Sequence, residues 1–372
     1  MNSFPAAEPA ASGSRAIAVD AMGGDKAPRE AVRGAVQAVR LDPQVRVLLV
    51  GREAAVRAEL DAAGWSGSGI EIVHAEHVIE MGDSPVEALR KKKGSSIEVA
   101  VRLVRSGDAG AMVSAGNTGA CVAAATICLG LLPEVRRAGI AVAFDAGARP
   151  VVVIDVGANV SSKPEHLIQH GIMANLYARS VLRVENPRVG LLNIGEENEK
   201  GNVLTKTTHT LFRETRLNFV GNVEGVEIFR GVCDVVVCDG FVGNIVLKVS
   251  EGLAERLVDL FQSTLRESFG SELPPARQPG GAASGDGAGS LDSKLRGVLK
   301  ALRQKLDYSE YGGAPLLGVN GVIIIAHGRS DANAIANAIR VARRMGETDV
   351  NRLITEEVRA FHGSSELGAP KP

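Results

Sequence analysis

Aromatic side chains are scarce in this 372-residue chain: one Trp, three Tyr and nine Phe, 3% of the whole. A core built with so few rings has to be packed from Ala, Val, Leu and Ile, a mixture that suits parallel strands covered by helices on both faces. Cysteine is scarce too, at four. Cys121, Cys128, Cys233 and Cys238 form no CxxC pair and have no histidines at zinc-ligand spacing, so buried free thiols are expected rather than a metal or redox centre. That usage fits a cytoplasmic compartment. The net charge of −1 leaves no broad excess of cations for nucleic acid. No apolar run reaches bilayer length; the most apolar stretch, 119–133, contains Thr126 and Gly130 and reads as a buried helix. Residues 1–14 carry neither the charged start nor the apolar centre of a secretory signal.

Several catalytic signatures are missing as well. There is no GxGxxG turn with an acidic residue about 20 positions on, no GK[ST] phosphate loop and no GxSxG elbow. The dinucleotide fingerprint, the P-loop and the elbow serine are thereby absent.

What is present is a rhythm. Strand-like runs at 16–20, 45–50, 70–74, 111–114, 151–155, 189–193, 218–221, 235–238 and 321–326 alternate with helical segments such as 29–40, 53–63 and 95–105, the last capped by Ser95 or Ser96. The pattern predicts an α/β fold, a doubly wound, mostly parallel sheet with helices on both faces. Residues 243–269 and 291–306 break the rhythm as two long helices. They predict a projecting helical hairpin, a tip spanning 250–306 with a flexible Gly/Ser-rich linker at 276–290. The expected organisation is a tail (1–14), the α/β domain (15–345) and a C-terminal helix and tail (346–372).

Polar, Gly-rich turns follow the strands: 21–28, 114–120, 155–159, 193–201, 221–225 and 239–244. Ligands of such sheets bind beyond strand carboxyl ends, so six of these turns on one rim predict a shared polar cleft. In 114–120, Asn117 or Thr118 either caps the next helix or helps its N-terminus hold an anion. Asp25, Asp155 and Asp239 flank strand ends without forming a tight carboxylate cluster, so no metal is expected. His327 ends an apolar run and suits either a structural hydrogen bond or acid–base work. Arg90, Lys91, Lys92 and Lys93 form either a solvated face or a contact for an acidic partner, with Arg136-Arg137 a second candidate. The helix 291–306 sets Leu295, Val298, Leu299, Leu302 and Leu306 on one side and five cations around them. It suits a packing or dimer contact, or a basic amphipathic surface touching anionic lipid.

The run from Ile17 to Asp25, IAVDAMGGD, with Ala27-Pro28, resembles the opening of the bacterial phosphate acyltransferases of phospholipid synthesis, the PlsX family. The similarity continues in order through 114–120 (SAGNTGA), 155–159 (DVGAN) with Lys163-Pro164-Glu165-His166, 193–201, 219–224, 234–244, 307–318 (DYSEYGGAPLLG) and 326–334 (AHGRSDANA). The resemblance implies transfer of an acyl group from acyl carrier protein to inorganic phosphate, with no cofactor. It implies a sheet like that of the isocitrate and isopropylmalate dehydrogenases and a homodimer. It also implies peripheral contact with the inner face of the cell membrane and with the downstream glycerol-3-phosphate acyltransferase. Lys200, Asp239 and Asn244 take the family's active-site positions, with Asp239 expected to orient Lys200. Ser114, Gly116, Asn117, Thr118, Asp155, Asn159, Asn193 and His327 are expected around the phosphate or the thioester arm. The rival readings are a coenzyme A-dependent phosphate acetyl- or butyryltransferase, a decarboxylating dehydrogenase, and a membrane-recruited scaffold without catalysis.

Overall fold

The computed structural model of the chain describes residues 16–147, 149–269, 297–298 and 312–367. In chain order these form β1 (Ala16–Asp20), α1 (Arg29–Leu41), β2 (Val47–Gly51), α2 (Glu53–Ala62), β3 (Ile70–His74), α3 (Pro85–Lys91), α4 (Ser96–Ser106), β4 (Ala109–Ser114) and α5 (Thr118–Cys128). Next come β5 (Gly139–Asp145), β6 (Pro150–Ile154), α6 (Pro164–Ser180), β7 (Arg188–Asn193), α7 (Val203–Phe212), β8 (Asn218–Glu224) and β9 (Val235–Val237). Last are α8 (Gly240–Phe269), β10 (Ala314–Leu317), β11 (Val322–Ile325), α9 (Ala332–Glu347) and α10 (Val350–Leu367).

Local chemistry accounts for the helix limits. In α1 the buried residues Ala31, Val32, Ala35, Val36 and Val39 recur at three- and four-residue spacing, Glu30 and Arg40 suit the two ends of the dipole, and Pro43 follows at once. Ser95 caps α4 by accepting from the Glu98 N–H at 3.4 Å, and Gly107 closes it at φ 83°. Asp331 caps α9 in the same way at 2.9 Å.

Among the described residues eleven strands form one sheet, ordered β3-β2-β1-β4-β11-β10-β5-β6-β9-β7-β8. Alternate residues of a strand enter opposite cores: Ile17 and Val19 face one side with α1, α6 and α9, while Ala18 faces the other with α4 and α5. Burial on both faces is what allows near-continuous apolar strands.

The directions hold a correction. The pairings β10 to β11, β10 to β5 and β5 to β6 are antiparallel, and the rest are parallel. Crossing from β11 to β6 therefore reverses the strands, and β6, β7, β8 and β9 run against β1, β2, β3 and β4. The Gly-rich turns do not share one rim. Those after β1, β4 and β11 lie on a first edge of the sheet; those after β6, β7, β8 and β9 lie on a second. Strands β5 and β10, absent from the sequence reading, cause the reversal.

Two further expectations change. The stretch 119–133 is not wholly buried, because α5 buries Ala120, Cys121, Ala124 and Ala125 but leaves Ile127 67% exposed. Helix α8 starts at Gly240, three residues before the expected 243, and turns Val242, Ile245, Val249, Leu253, Leu257 and Leu260 outward. Of the proposed lipid-facing residues, Val298 is helical and exposed; Leu295, Leu299 and Leu302 lie outside the described residues, as do 1–14 and 276–290.

Candidate active site

At the first edge the polar residues build their own loops. Buried Asp20 accepts from the Met22 N–H at 3.1 Å and from the Ser114 hydroxyl at 2.7 Å, and that hydroxyl accepts from the Gly116 N–H at 3.0 Å. Burial pushes the Asp20 carboxyl up from its ordinary value, against hydrogen bonds from Ser114, Ser96 and the Met22 and Gly23 backbone. A Cβ on Gly23 would stand 2.5 Å from the Gly116 nitrogen, so only glycine lets these loops approach. Asn117 caps α5 through the Ala120 N–H at 3.0 Å, and its amide donates to the carbonyls of Glu80, Met81 and Asp83, each at 3.1 Å. Thr118 is exposed at the helix start. His327 accepts the Arg329 N–H on Nδ1 at 3.2 Å and turns Nε2 towards Glu251, 3.8 Å away.

The second edge begins with the same device. Asp155, fully buried, takes the N–H groups of Ile140, Gly157 and Ala158 on Oδ1 (3.1, 3.1 and 2.8 Å), and both the N–H and the side-chain amide of Asn159 on Oδ2 (2.8 Å each). Asn159 also donates to the Ala138 carbonyl at 2.6 Å. These two residues are structural pins of the turn, and their bonding leaves little for a ligand. Asp239 accepts from Phe241 and Val242, both at 3.1 Å, and so caps α8. Among the described residues no ion pair joins Asp239 to Lys200, in contrast to the expected orienting contact. Asn193 closes the next loop, accepting from Ile194 at 2.9 Å and donating to the Lys200 carbonyl at 3.1 Å.

Of the expected site residues at this edge, Lys200 and Asn244 remain open, beside the exposed Glu196, Glu197, Asn198 and Glu199. Lys200 projects, exposed, from the loop after β7, and Asn244 is exposed in the first turn of α8. Asn244 lies against the turn of Asp155: a Cβ on Gly157 (φ +140°) would meet its Nδ2 at 3.1 Å. Because β6, β9 and β7 are neighbours, Asp155, Asn159, Asp239, Asn244 and Lys200 gather at one edge. Ser114, Gly116, Asn117, Thr118 and His327 gather at the other.

Helix α8 joins the two. Asn244, Lys248, Glu251 and Glu255 share one helical face, at the spacing i, i+4, i+7, i+11. Lys248 bonds Glu251 at 2.8 Å, Glu251 faces His327, and Glu255 pairs with Arg329 at 2.6 Å. The sequence reading passed over Glu251, Glu255 and Arg329, though the helical periodicity starting from Asn244 was available to find the two glutamates.

No activated thiol is present. Burial pushes the Cys121 and Cys233 thiols up to about 12 and raises Cys238 beside Asp155; Cys128, expected buried, is only half-buried at the end of α5, and its thiol is raised too, by burial and by Glu98, so none is a thiolate at neutral pH. Among the described residues no group of three His, Cys, Asp or Glu side chains is placed to hold a metal, and no helix is long and apolar enough to cross a membrane. In the basic run, Lys91 pairs with Glu87 at 2.6 Å and Lys92 with Asp83 at 2.5 Å, whereas Arg90 and Lys93 stay exposed. The hydrogen bond from Lys92 holds the Asp83 carboxyl below its ordinary value.

The doubly wound sheet of this chain is also the fold of solved phosphotransacetylases. That of Streptococcus pyogenes superposes with a TM-score of 0.56 at 16% identity, covering 90% of this chain and 95% of that one. The EutD phosphotransacetylase of Staphylococcus aureus gives 0.53 at 15% identity, with the same coverage. These likenesses define the fold class. The particular family follows from sequence: residues 15–353 match the model described as fatty acid synthesis protein, and the chain belongs to that family. It is 46% identical to the phosphate acyltransferase of Halothermothrix orenii over 344 residues (92% of this chain, 98% of that one). It is 44% identical to that of Dictyoglomus turgidum over 342 residues (91% and 96%). The chain is thus an enzyme, an acyltransferase of lipid synthesis that uses phosphate, and the scaffold and dehydrogenase readings fall.

Proposed function

We propose that the enzyme takes a fatty acyl group from acyl-[acyl carrier protein] and delivers it to inorganic phosphate, making the acyl phosphate that feeds phosphatidic acid synthesis. The observation that carries this reading is an edge with open polar heads and no nucleophile of its own. Phosphate is then the attacking group. Its dianion adds to the thioester carbonyl, the carbon–sulfur bond breaks, and the phosphate proton passes to the departing thiolate. A thiol of pKa about 8.5 is a competent leaving group. Lys200 neutralises the incoming phosphate and Asn244 donates to the tetrahedral oxyanion. Asp239 acts at one remove, by fixing the first turn of α8 on which Asn244 stands.

The outward apolar stripe of α8 supports a homodimer. The exposed helical Val298 is compatible with contact between the tip and an anionic membrane, where the product would be passed to a glycerol-3-phosphate acyltransferase. The decisive experiment is phosphate-dependent release of free carrier-protein thiol from a long-chain acyl substrate, run beside acyl-coenzyme A. Thiol release from coenzyme A alone would transfer the assignment to a phosphotransacetylase. No release from either would end it.

A further inference from the structure

The strand reversal brings a cationic strip to the same edge as Lys200 and Asn244. Strands β4, β11 and β5 begin where β6, β7 and β9 end, because Leu317 pairs with Gly139 and Ala141 with Ile154. Gly321, at the start of β11, lies against Leu129 and Val104: a Cβ there would stand 2.9 and 3.0 Å from them. The ends of α4 and α5 therefore sit at the second edge, with Arg105 exposed on one and Ile127 67% exposed on the other. The link from α5 to β5 continues along that edge and carries Arg136 and Arg137, both exposed. One residue further, the Ala138 carbonyl accepts from Asn159, which ties the strip to the turn beside Asn244.

The charges on this strip are open. Among the described residues Arg105, Arg136 and Arg137 have no ion pair; in the run 90–93 Lys91 and Lys92 are closed by Glu87 and Asp83, while Arg90 and Lys93 are exposed and have none. Arg102 is also closed, by buried Glu98 at 2.6 Å. The acidic residues of the same segments are Asp108, which takes the Ser106 hydroxyl at 2.6 Å, and Glu134. Three open arginines and an exposed isoleucine along one edge suit an acidic partner that also presents an apolar residue.

Distance selects among acidic partners. From β4 to β6 there are four strand spacings of ~4.8 Å, roughly 19 Å, and from β11 three, roughly 14 Å. An extended peptide-like arm covers about 3.5 Å per unit, so roughly four to six units bridge the gap. Arg136 and Arg137, just before β5, stand one spacing from β6 and Arg105, just before β4, stands four, so a bearer seated across the strip delivers a thioester on a long arm to the edge.

We propose that an acidic carrier protein docks on Arg105, Ile127, Arg136 and Arg137, and not on residues 90–93. The assignment rests on the reading that the acyl group arrives as a carrier-protein thioester. The strip receives the carrier's acidic face, Ile127 its apolar residue, and the arm runs along the start of β5 towards Asn244.

The test uses the full-length enzyme with acyl-carrier protein and, separately, acyl-pantetheine, which has the arm's end but no protein. Arg136→Glu with Arg137→Glu should raise the KM for acyl-carrier protein at least tenfold, leaving its kcat, the phosphate KM and turnover of acyl-pantetheine within twofold. Arg105→Glu and Ile127→Ser should act in the same direction but less. Arg90→Glu with Lys93→Glu should leave the carrier KM within twofold. An unchanged carrier KM in the Arg136/Arg137 variant overturns the proposal, as does an equal loss on both thioesters. So does loss of binding to phosphatidylglycerol vesicles with carrier KM intact, since the strip would then belong to the membrane. Direct binding of the unacylated carrier protein, followed by fluorescence anisotropy, keeps the outcomes separate. If the native enzyme releases no thiol, the proposed function fails, and the anisotropy of the reversed variants still decides the surface.

Discussion

The two edges of the sheet use the same parts for different ends. On the first, Asp20, Ser114 and Asn117 hold one another and the nearby backbone. On the second, Asp155 and Asn159 do the same work, and Lys200 and Asn244 stand exposed without a comparable network. A strand-end Asp collecting N–H groups is thus a scaffold here, and the proposed chemistry falls to the residues the scaffold leaves open. Two loops of similar composition differ in which polar atoms stay free, because of what the others already bond.

That contrast can be broken at its strongest point first. Asp155→Ala should remove the acceptor for five donors at a fully buried site and cost about 3–5 kcal/mol of stability, read from the shift of a urea unfolding curve. A loss below about 1 kcal/mol would mean that the turn stands without its pin. Lys200→Ala should slow phosphate-dependent thiol release by about 10²–10³, equivalent to about 2.7–4 kcal/mol of barrier, with an unchanged unfolding midpoint. A near-native rate would remove Lys200 from the reaction and leave the second edge looking like the first. Asn117→Ala should cost about 1–3 kcal/mol, since a helix cap and three carbonyl partners go together, while turnover per folded molecule stays near native. A specific fall in turnover at full stability would instead place the first edge in the reaction. The smallest effect is expected at Lys91→Ala, on an exposed pair one helical turn apart: no measurable change in melting temperature or carrier KM.

Much of the fold was legible in the residues. Strands β1 and β3 match the expected 16–20 and 70–74, and the Ser95 cap matches because a hydroxyl before an amphipathic run is a local signal. The two strands that were missed, β5 and β10, are those whose partners run antiparallel, flanked by segments with no helical rhythm to announce them. Of the proposed site, Lys200 and Asn244 stood out by their places in a family pattern, Lys200 in the loop after β7 and Asn244 in what the structure makes the first turn of α8. Asp155 and Asn159 looked identical to them in kind, and nothing in a sequence tells an open carboxylate from one already holding five donors. The acidic residues of α8 were passed over for a related reason, since their partners His327 and Arg329 lie more than seventy positions further along the chain.

The sequence by itself determined most of the elements, the Ser95 cap, the burial of Cys121, Cys233 and Cys238, and the family, because each of these is written in spacing or in short motifs. The tertiary structure alone decided which turns share an edge, which polar groups are free, and which cations remain unpaired. Strand direction past β11 is set by pairing between residues far apart in the chain, and a single reversed partner moves every following loop to the other end of the sheet.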